Sequence, residues 1–117
     1  MTEEQIQPGR ELDALIAEQI MEIDVFYCPE EKDWFVIDNR SNHTDERILE
    51  YSTDITAAWD VIEHLKQMPA FNEIDLTVRS DGVTTEIWYG CEARSIETET
   101  VPYGICLAAL DALQDQQ

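Results

Sequence analysis

His64 stands four residues after Asp60, with Glu63 beside it. On a helix that spacing brings a carboxylate against the imidazole, and a histidine held this way can serve as a general base. The same pair on an exposed helix face is an ordinary solvated ion pair, and that is the reading adopted. His43 lies between Asn42 and Thr44 with no partner nearby in sequence. Ser52, Ser80 and Ser95 lack the turn that exposes a nucleophilic serine. Gly9, Gly82, Gly90 and Gly104 are isolated, so no glycine loop is available to cradle phosphate. Neither an HExxH pattern nor a DxDxDG loop occurs, and no specific metal site can be read. These residues predict a binding protein with no enzymatic activity and no cofactor.

Carboxylates are the chemistry the chain has in excess. Twenty-six acids face seven bases, a formal net charge of −19. They crowd in three places: Glu30, Glu31 and Asp33; Asp45 and Glu46; and Glu92, Glu97 and Glu99. Carboxylates on a rigid scaffold can imitate duplex phosphates, whose charges lie ~1.7 Å apart along the helix axis. These eight residues are therefore the candidate partner-binding set. A solvated acidic surface that only maintains solubility has the same composition. Direct binding to DNA, RNA or an anionic membrane is disfavoured, because it needs clustered Lys and Arg. A basic protein partner is favoured. Trp34, Trp88 and Tyr89 fall on expected strands, where exposed rings would favour protein contact or base stacking. At least two of the three tryptophans are expected in the core.

The elements that position these residues follow from periodicity. Leu12, Leu15, Ile16, Gln19 and Ile20 recur at helical spacing, with Glu11, Asp13, Glu18 and Glu22 mostly off that stripe. A helix is predicted from Arg10 to Met21. Ile23 to Cys28 and Trp34 to Ile37 read as a hairpin with a five-residue loop. Asp38 to Glu50 reads as a loop. Tyr51 to Asp54 supplies capping oxygens, and Tyr51 is expected to act as a hydrophobic staple. A second helix follows, with Ile55, Ala58, Trp59, Ile62 and Leu65 on its apolar face and Trp59 as a core anchor. Met68-Pro69 ends it.

Ile74, Leu76 and Val78 alternate with Asp75, Thr77 and Arg79, the signature of a half-buried strand. Ser80-Asp81-Gly82 is a hairpin turn signal, and Thr84 to Tyr89 is the returning strand. Gly90 is read as a bulge and Ala93 to Glu97 as a fifth strand. Thr100 caps a third helix with Pro102 in its first turn. Its small residues Ala108, Ala109 and Ala112 permit close packing. The order predicts an α+β class: an antiparallel sheet of four to five strands covered by three helices, in one domain. Residues 1–7 and 114–117 read as flexible tails.

No apolar run approaches the ~20 residues of a membrane-spanning helix. The acidic start, Met1-Thr2-Glu3-Glu4-Gln5, is unlike a signal peptide. Cys28, Cys91 and Cys106 are an odd set without a CxxC pair, and are expected as small core residues in a reducing cytoplasm.

Three blocks carry a resemblance. They are Pro8-Gly9-Arg10-Glu11-Leu12-Asp13-Ala14-Leu15-Ile16-Ala17, Tyr51-Ser52-Thr53-Asp54-Ile55-Thr56-Ala57-Ala58-Trp59, and Pro102-Tyr103-Gly104-Ile105-Cys106-Leu107-Ala108-Ala109-Leu110. In order and spacing they resemble the opening, central helix start and closing helix of the phage ABA sandwich domain proteins. The resemblance implies an α-β-α layered fold and a phage or prophage source, and it implies no catalytic residues. Cys28 to Glu31 and Glu92 to Thr100 depart from the family pattern.

The expectation drawn from charge and resemblance is an accessory phage protein in the host cytoplasm. It would bind a basic host protein, such as a nucleic-acid-binding replication or defence factor, and block it. A nucleotide-signal sponge is the second reading, and it would require Arg10, Arg40, Arg47, Arg79 or Arg94 to gather in a pocket. A structural or homo-oligomeric role is the third, with the small-residue face of the last helix as the contact.

Overall fold

Leu12, Ile16 and Ile20 bury one stripe of the first helix completely. In the computed structural model, which describes residues 7–37 and 47–114, this helix runs as α1, Arg10–Leu15. It continues as a π-helical turn, Ile16–Ile20. Its extent matches the sequence expectation, but Asp13 does not lie off the apolar stripe: it is only 1% exposed. Most of the expected tails, together with Arg40, His43, Asp45 and Glu46, fall outside the described residues.

The chain then forms an antiparallel hairpin, β1 (Val25–Cys28) and β2 (Asp33–Val36), with Val25 opposite Val36 and Cys28 opposite Asp33. The connection, Pro29 to Lys32, is one residue shorter than expected because Asp33 enters the ladder. On the far side of β2, Arg47 bridges to Phe35 and the Ile48 N–H donates to the Trp34 carbonyl at 3.3 Å. The chain thus returns along β2 before entering α2, Ile55–Leu65. The Asp54 carboxylate caps this helix by accepting the Thr56 N–H at 3.1 Å. A cap of this kind contributes about 1 kcal/mol. Tyr51 is not its staple: Thr53 holds the position directly before the cap, and Tyr51 is itself buried in the core.

The buried face of α2 is Ala57, Ala58, Val61, Ile62 and Leu65. Ile55 and Trp59 stand about half exposed, at 48% and 49%. Apolar residues cover so much of this helix that two adjacent stripes compete, and the one carrying small alanines wins. Alanines allow α2 to approach the alanine-rich last helix, where an indole would hold it off. Trp59 is therefore not the core anchor. Of the three tryptophans, only Trp34 packs against the core cluster, so the expectation of two is not met. Trp59→Ala should change stability by under about 1 kcal/mol, against about 3–5 for truncating a buried tryptophan. Urea unfolding would measure it.

The remaining strands are β3 (Phe71–Arg79), β4 (Gly82–Tyr89) and β5 (Glu92–Thr98), an antiparallel sheet in the order β3-β4-β5. Ser80 and Asp81 form the first turn. Gly90, at φ 68°, serves the second turn, while the register irregularity lies between Phe71 and Glu73. The final helix, α3 (Val101–Gln114), lies on β4 and β5, with α2 and the π-helical turn packed on it. Ile87, Ile105, Cys106, Ala108 and Ala109 are fully buried at that junction.

The small-residue face of α3 is consumed inside the fold and does not offer a contact for self-association. Among the described residues there are three helices and five strands. The α+β class and the element order are as expected, with the strands divided between a two-stranded and a three-stranded sheet. Cys106 is buried, which pushes its thiol pKa up. Cys91, against expectation, is exposed in the β4–β5 turn.

Candidate functional site

Strand β4 alternates strictly. Val83, Thr85, Ile87 and Tyr89 are buried under α3, and Thr84, Glu86 and Trp88 occupy the other face. Directly opposed residues in an antiparallel sheet point the same way. Glu86 is opposed by Asp75 and Ser95, Trp88 by Glu73 and Ala93, and Thr84 by Thr77 and Glu97. The open face of the three-stranded sheet therefore carries Glu73, Asp75, Glu86 and Glu97, with Trp88 among them. Glu73, Asp75 and Glu97 are exposed, and Glu86 and Trp88 half-buried.

The like charges interact. The charge of Asp75 raises the Glu73 pKa, helped by a hydrogen bond between the two side chains, by slight desolvation and by the charge of Glu86. Arg79, at the end of the face, is already turned to Asp81 at 3.4 Å and to the Thr84 hydroxyl. The sheet thus gathers three carboxylates on one face, and the charges of the other two make Glu73 harder to ionise. No group of three His, Cys, Asp or Glu among the described residues is placed to hold a metal ion. What this face can do chemically is accept cationic side chains around an indole.

The clusters singled out in the sequence meet different fates. Asp33 is committed internally: it accepts from Arg10 Nε at 2.7 Å and from the Trp34 N–H at 2.7 Å, with Arg47 Nε at 3.7 Å. Burial pushes its carboxyl pKa up, but the Arg10 and Trp34 hydrogen bonds and the charges of Arg10 and Arg47 outweigh this. The net result is a lowered pKa. Glu31 lies 3.9 Å from Arg47, and Glu30 is exposed at the hairpin tip. Glu92 pairs with Arg94 at 2.7 Å. Glu97 belongs to the open face. Glu99 is exposed; burial, and then the charge of Glu99, raise the Tyr103 pKa. Asp45 and Glu46 lie outside the described residues. The structure thus retains Glu97 from the expected set and adds Glu73, Asp75 and Glu86, which cluster reasoning missed. The signal was there: a two-residue turn at Ser80-Asp81 fixes Asp75 opposite Glu86.

These shifts set a pH dependence with two signs. Asp33, with its folded pKa lowered, contributes stability that is present above the ordinary Asp value of about 3.9 and lost as pH falls through the folded value. Glu73, with its folded pKa raised, opposes folding once ionised, so that stability rises as pH falls from neutral toward the ordinary Glu value of about 4.3. The unfolding midpoint should therefore climb on mild acidification and drop below about pH 3.9. A thermal series across that range checks it.

A second polar assembly lies inside the fold. The Asp13 carboxylate accepts from the Ser52 N–H at 2.8 Å and the Ser52 hydroxyl at 2.6 Å, and from Arg10 Nη1 at 3.0 Å. The Ser52 hydroxyl accepts the Gly9 N–H at 2.8 Å. Arg10 Nη2 also donates to the Ile48 carbonyl at 2.9 Å. This network ties α1 to the hairpin and to the approach of α2. Each of its polar atoms is used in holding these segments, so it is structural.

The other readings find little support in the geometry. Among the described residues no hydrogen bond or ion pair joins His64 to Asp60. The described arginines do not gather: Arg10 and Arg47 flank Asp33, Arg79 turns to Asp81, and Arg94 bridges Glu92 and Asp111. A cavity of about 260 Å³ lies beside the β3–β4 turn, lined by Arg79, Asp81, Glu97, Glu99 and Tyr103 among others. Three carboxylates against one guanidinium suit an anionic nucleotide poorly.

The layered fold and the three matching blocks define a small phage domain. The chain belongs to the phage ABA sandwich domain family, whose model matches residues 14–110. It is also similar to a phage protein from Bacillus cereus ATCC 14579 with a 2.0 Å crystal structure. The TM-score is 0.70 at 21% identity, covering 96% of this chain and 97% of that one. At that identity the likeness shows the shared fold. No curated protein matches the chain. No helix among the described residues is long and apolar enough to cross a membrane.

Proposed function

We propose that the chain is a non-enzymatic phage accessory protein that binds a basic host protein in the host cytoplasm. The open face of the β3-β4-β5 sheet is the binding surface, and a nucleic-acid-binding groove of a replication or defence factor is what it fills. The observation that carries this reading is the placement of Glu73, Asp75 and Glu86 by strand register on one face around Trp88, where the charges of Asp75 and Glu86 raise the Glu73 pKa. Such an arrangement works against the free protein and is relieved by a cationic partner, so it suits binding better than stability. Membership of a phage family supports the setting.

Capture of proteins from a bacterial host lysate, washed at low and high salt and identified by mass spectrometry, tests the reading. A basic nucleic-acid-binding protein should be retained and then released by salt. Retention of no basic protein would contradict it. The triple substitution Glu73→Gln, Asp75→Asn, Glu86→Gln should raise the thermal midpoint of the free protein while abolishing capture. A lowered midpoint would show that the carboxylates serve the fold instead.

A further inference from the structure

Among the described residues strand β1 has an uncovered edge, whose chemistry can be read from the ladder. The Ile37 N–H donates to the Asp24 carbonyl at 2.8 Å. Alternation along the strand then points the backbone groups of Phe26 and Cys28 toward β2, and those of Val25 and Tyr27 away from it. The other side of the hairpin agrees, since Trp34, opposite Tyr27, turns its carbonyl outward to the Ile48 N–H. That returning segment covers the outer edge of β2. Among the described residues nothing bonds the outward groups of Val25 and Tyr27. Natural edge strands are usually blunted by charge, proline or a bulge. This one carries Phe26 and Tyr27, 37% and 47% exposed, each braced by a ring on β2.

The charges around the edge select the occupant. Glu22 and Asp24 precede the strand, and Glu30 and Glu31 follow it, all exposed. A second copy paired antiparallel about Phe26 would set Glu22 against Glu30 and bring like charges together, which is unfavourable across strands. An extended basic segment would instead place its cations between the acidic ends. We propose that β1 is an acceptor edge onto which a partner protein adds an extended, lysine- or arginine-bearing strand. Backbone hydrogen bonds to Val25 and Tyr27 would supply the affinity and Tyr27 a ring against its side chains. The proposal shares with the reading above a basic partner, but it rests on a different surface.

Two short peptides of equal charge test it, one alternating lysine with valine and one with the same number of lysines separated by paired prolines. Proline has no backbone N–H, and the paired spacing puts prolines on whichever edge the second peptide presents, so its ladder of donors is broken. Calorimetry should show the lysine–valine peptide binding at least about tenfold more tightly, the worth of one or two backbone hydrogen bonds. Equal binding of both peptides, or of neither, would overturn strand addition. Tyr27→Pro removes an outward N–H while leaving the β1–β2 ladder intact, and proline is tolerated at such edge positions. It should abolish the preference for valine over proline, whereas Tyr27→Ala should keep it; a preference that survives Tyr27→Pro overturns the proposal. Amide exchange on the unsubstituted protein gives the same answer without a variant. The Val25 and Tyr27 amides should exchange quickly alone and slow with the lysine–valine peptide, and unchanged exchange would contradict the proposal. The Glu73→Gln, Asp75→Asn, Glu86→Gln variant separates the two surfaces: it should lose host-protein capture and keep the peptide preference.

Discussion

Replacing Asp13 by alanine should lower the unfolding free energy by about 3 kcal/mol, measured by urea unfolding at neutral pH. The carboxylate is 1% exposed and accepts three hydrogen bonds, two from Ser52 and one from Arg10. Its removal leaves the buried Ser52 N–H without its acceptor and takes one of two carboxylates from Arg10. Arg10 retains Asp33 at 2.7 Å, which keeps the loss below that of a wholly orphaned buried charge. Ser52→Ala should cost about 1–2 kcal/mol, since it takes only the hydroxyl and leaves the backbone donor paired. If Asp13→Ala cost no more than Ser52→Ala, the carboxylate would not be the centre of the network.

Gly104→Ala should destabilise by about 2 kcal/mol, although helix propensity alone would favour alanine by about 1 kcal/mol. Gly104 sits in the first turns of α3 where the helix crosses β4 and β5. A Cβ there would run into the Thr85 hydroxyl and lie 2.9 Å from the Thr98 hydroxyl. Thr85 is fully buried, and its hydroxyl has no hydrogen-bond partner among the described residues. Removing that oxygen should relieve the collision. In a double-mutant cycle, Thr85→Ala with Gly104→Ala should therefore show a coupling of more than about 1 kcal/mol. Thr85→Val keeps the shape and removes an unsatisfied polar group, so it should be neutral or mildly stabilising. Additive single effects in the cycle would contradict the close approach of α3 to Thr85.

The parts of this fold legible in sequence are those fixed by local chemistry. Ser80-Asp81-Gly82 announces its turn, Thr100 and Pro102 the start of α3, and the 12–16–20 spacing the first helix. What local reasoning missed depends on partners distant in the chain. Asp13 reads as a surface acid until Ser52, thirty-nine residues away, is seen to receive it. The choice between the two apolar stripes of α2 depends on the alanines of α3, and so Trp59 ends up outside. The candidate site shows the same division. Dense runs such as Glu30-Glu31 attract attention, yet Glu31 and Asp33 are engaged with Arg10 and Arg47. The acids left to repel one another are dispersed in sequence and meet only through strand register.

The two polar assemblies place charge differently. At Asp13 and Asp33 each carboxylate is matched by arginine and backbone donors, and the result is a joint between segments. On the open sheet face the carboxylates meet each other, and the neighbouring acids raise the Glu73 pKa. Sheet faces left to solvent are commonly polar, but here Asp75 stands directly opposite Glu86, with Glu73 opposite the indole of Trp88, and like charges directly opposed are unfavourable.

In the proposed function this face takes the place of nucleic acid on a basic partner. Competition measures it directly: the host protein captured from lysate is bound to labelled duplex DNA, and the phage protein is titrated in. The unsubstituted protein should displace the DNA, and the Glu73→Gln, Asp75→Asn, Glu86→Gln variant should not. Displacement by both proteins alike, or a ternary complex with the DNA still bound, would contradict it.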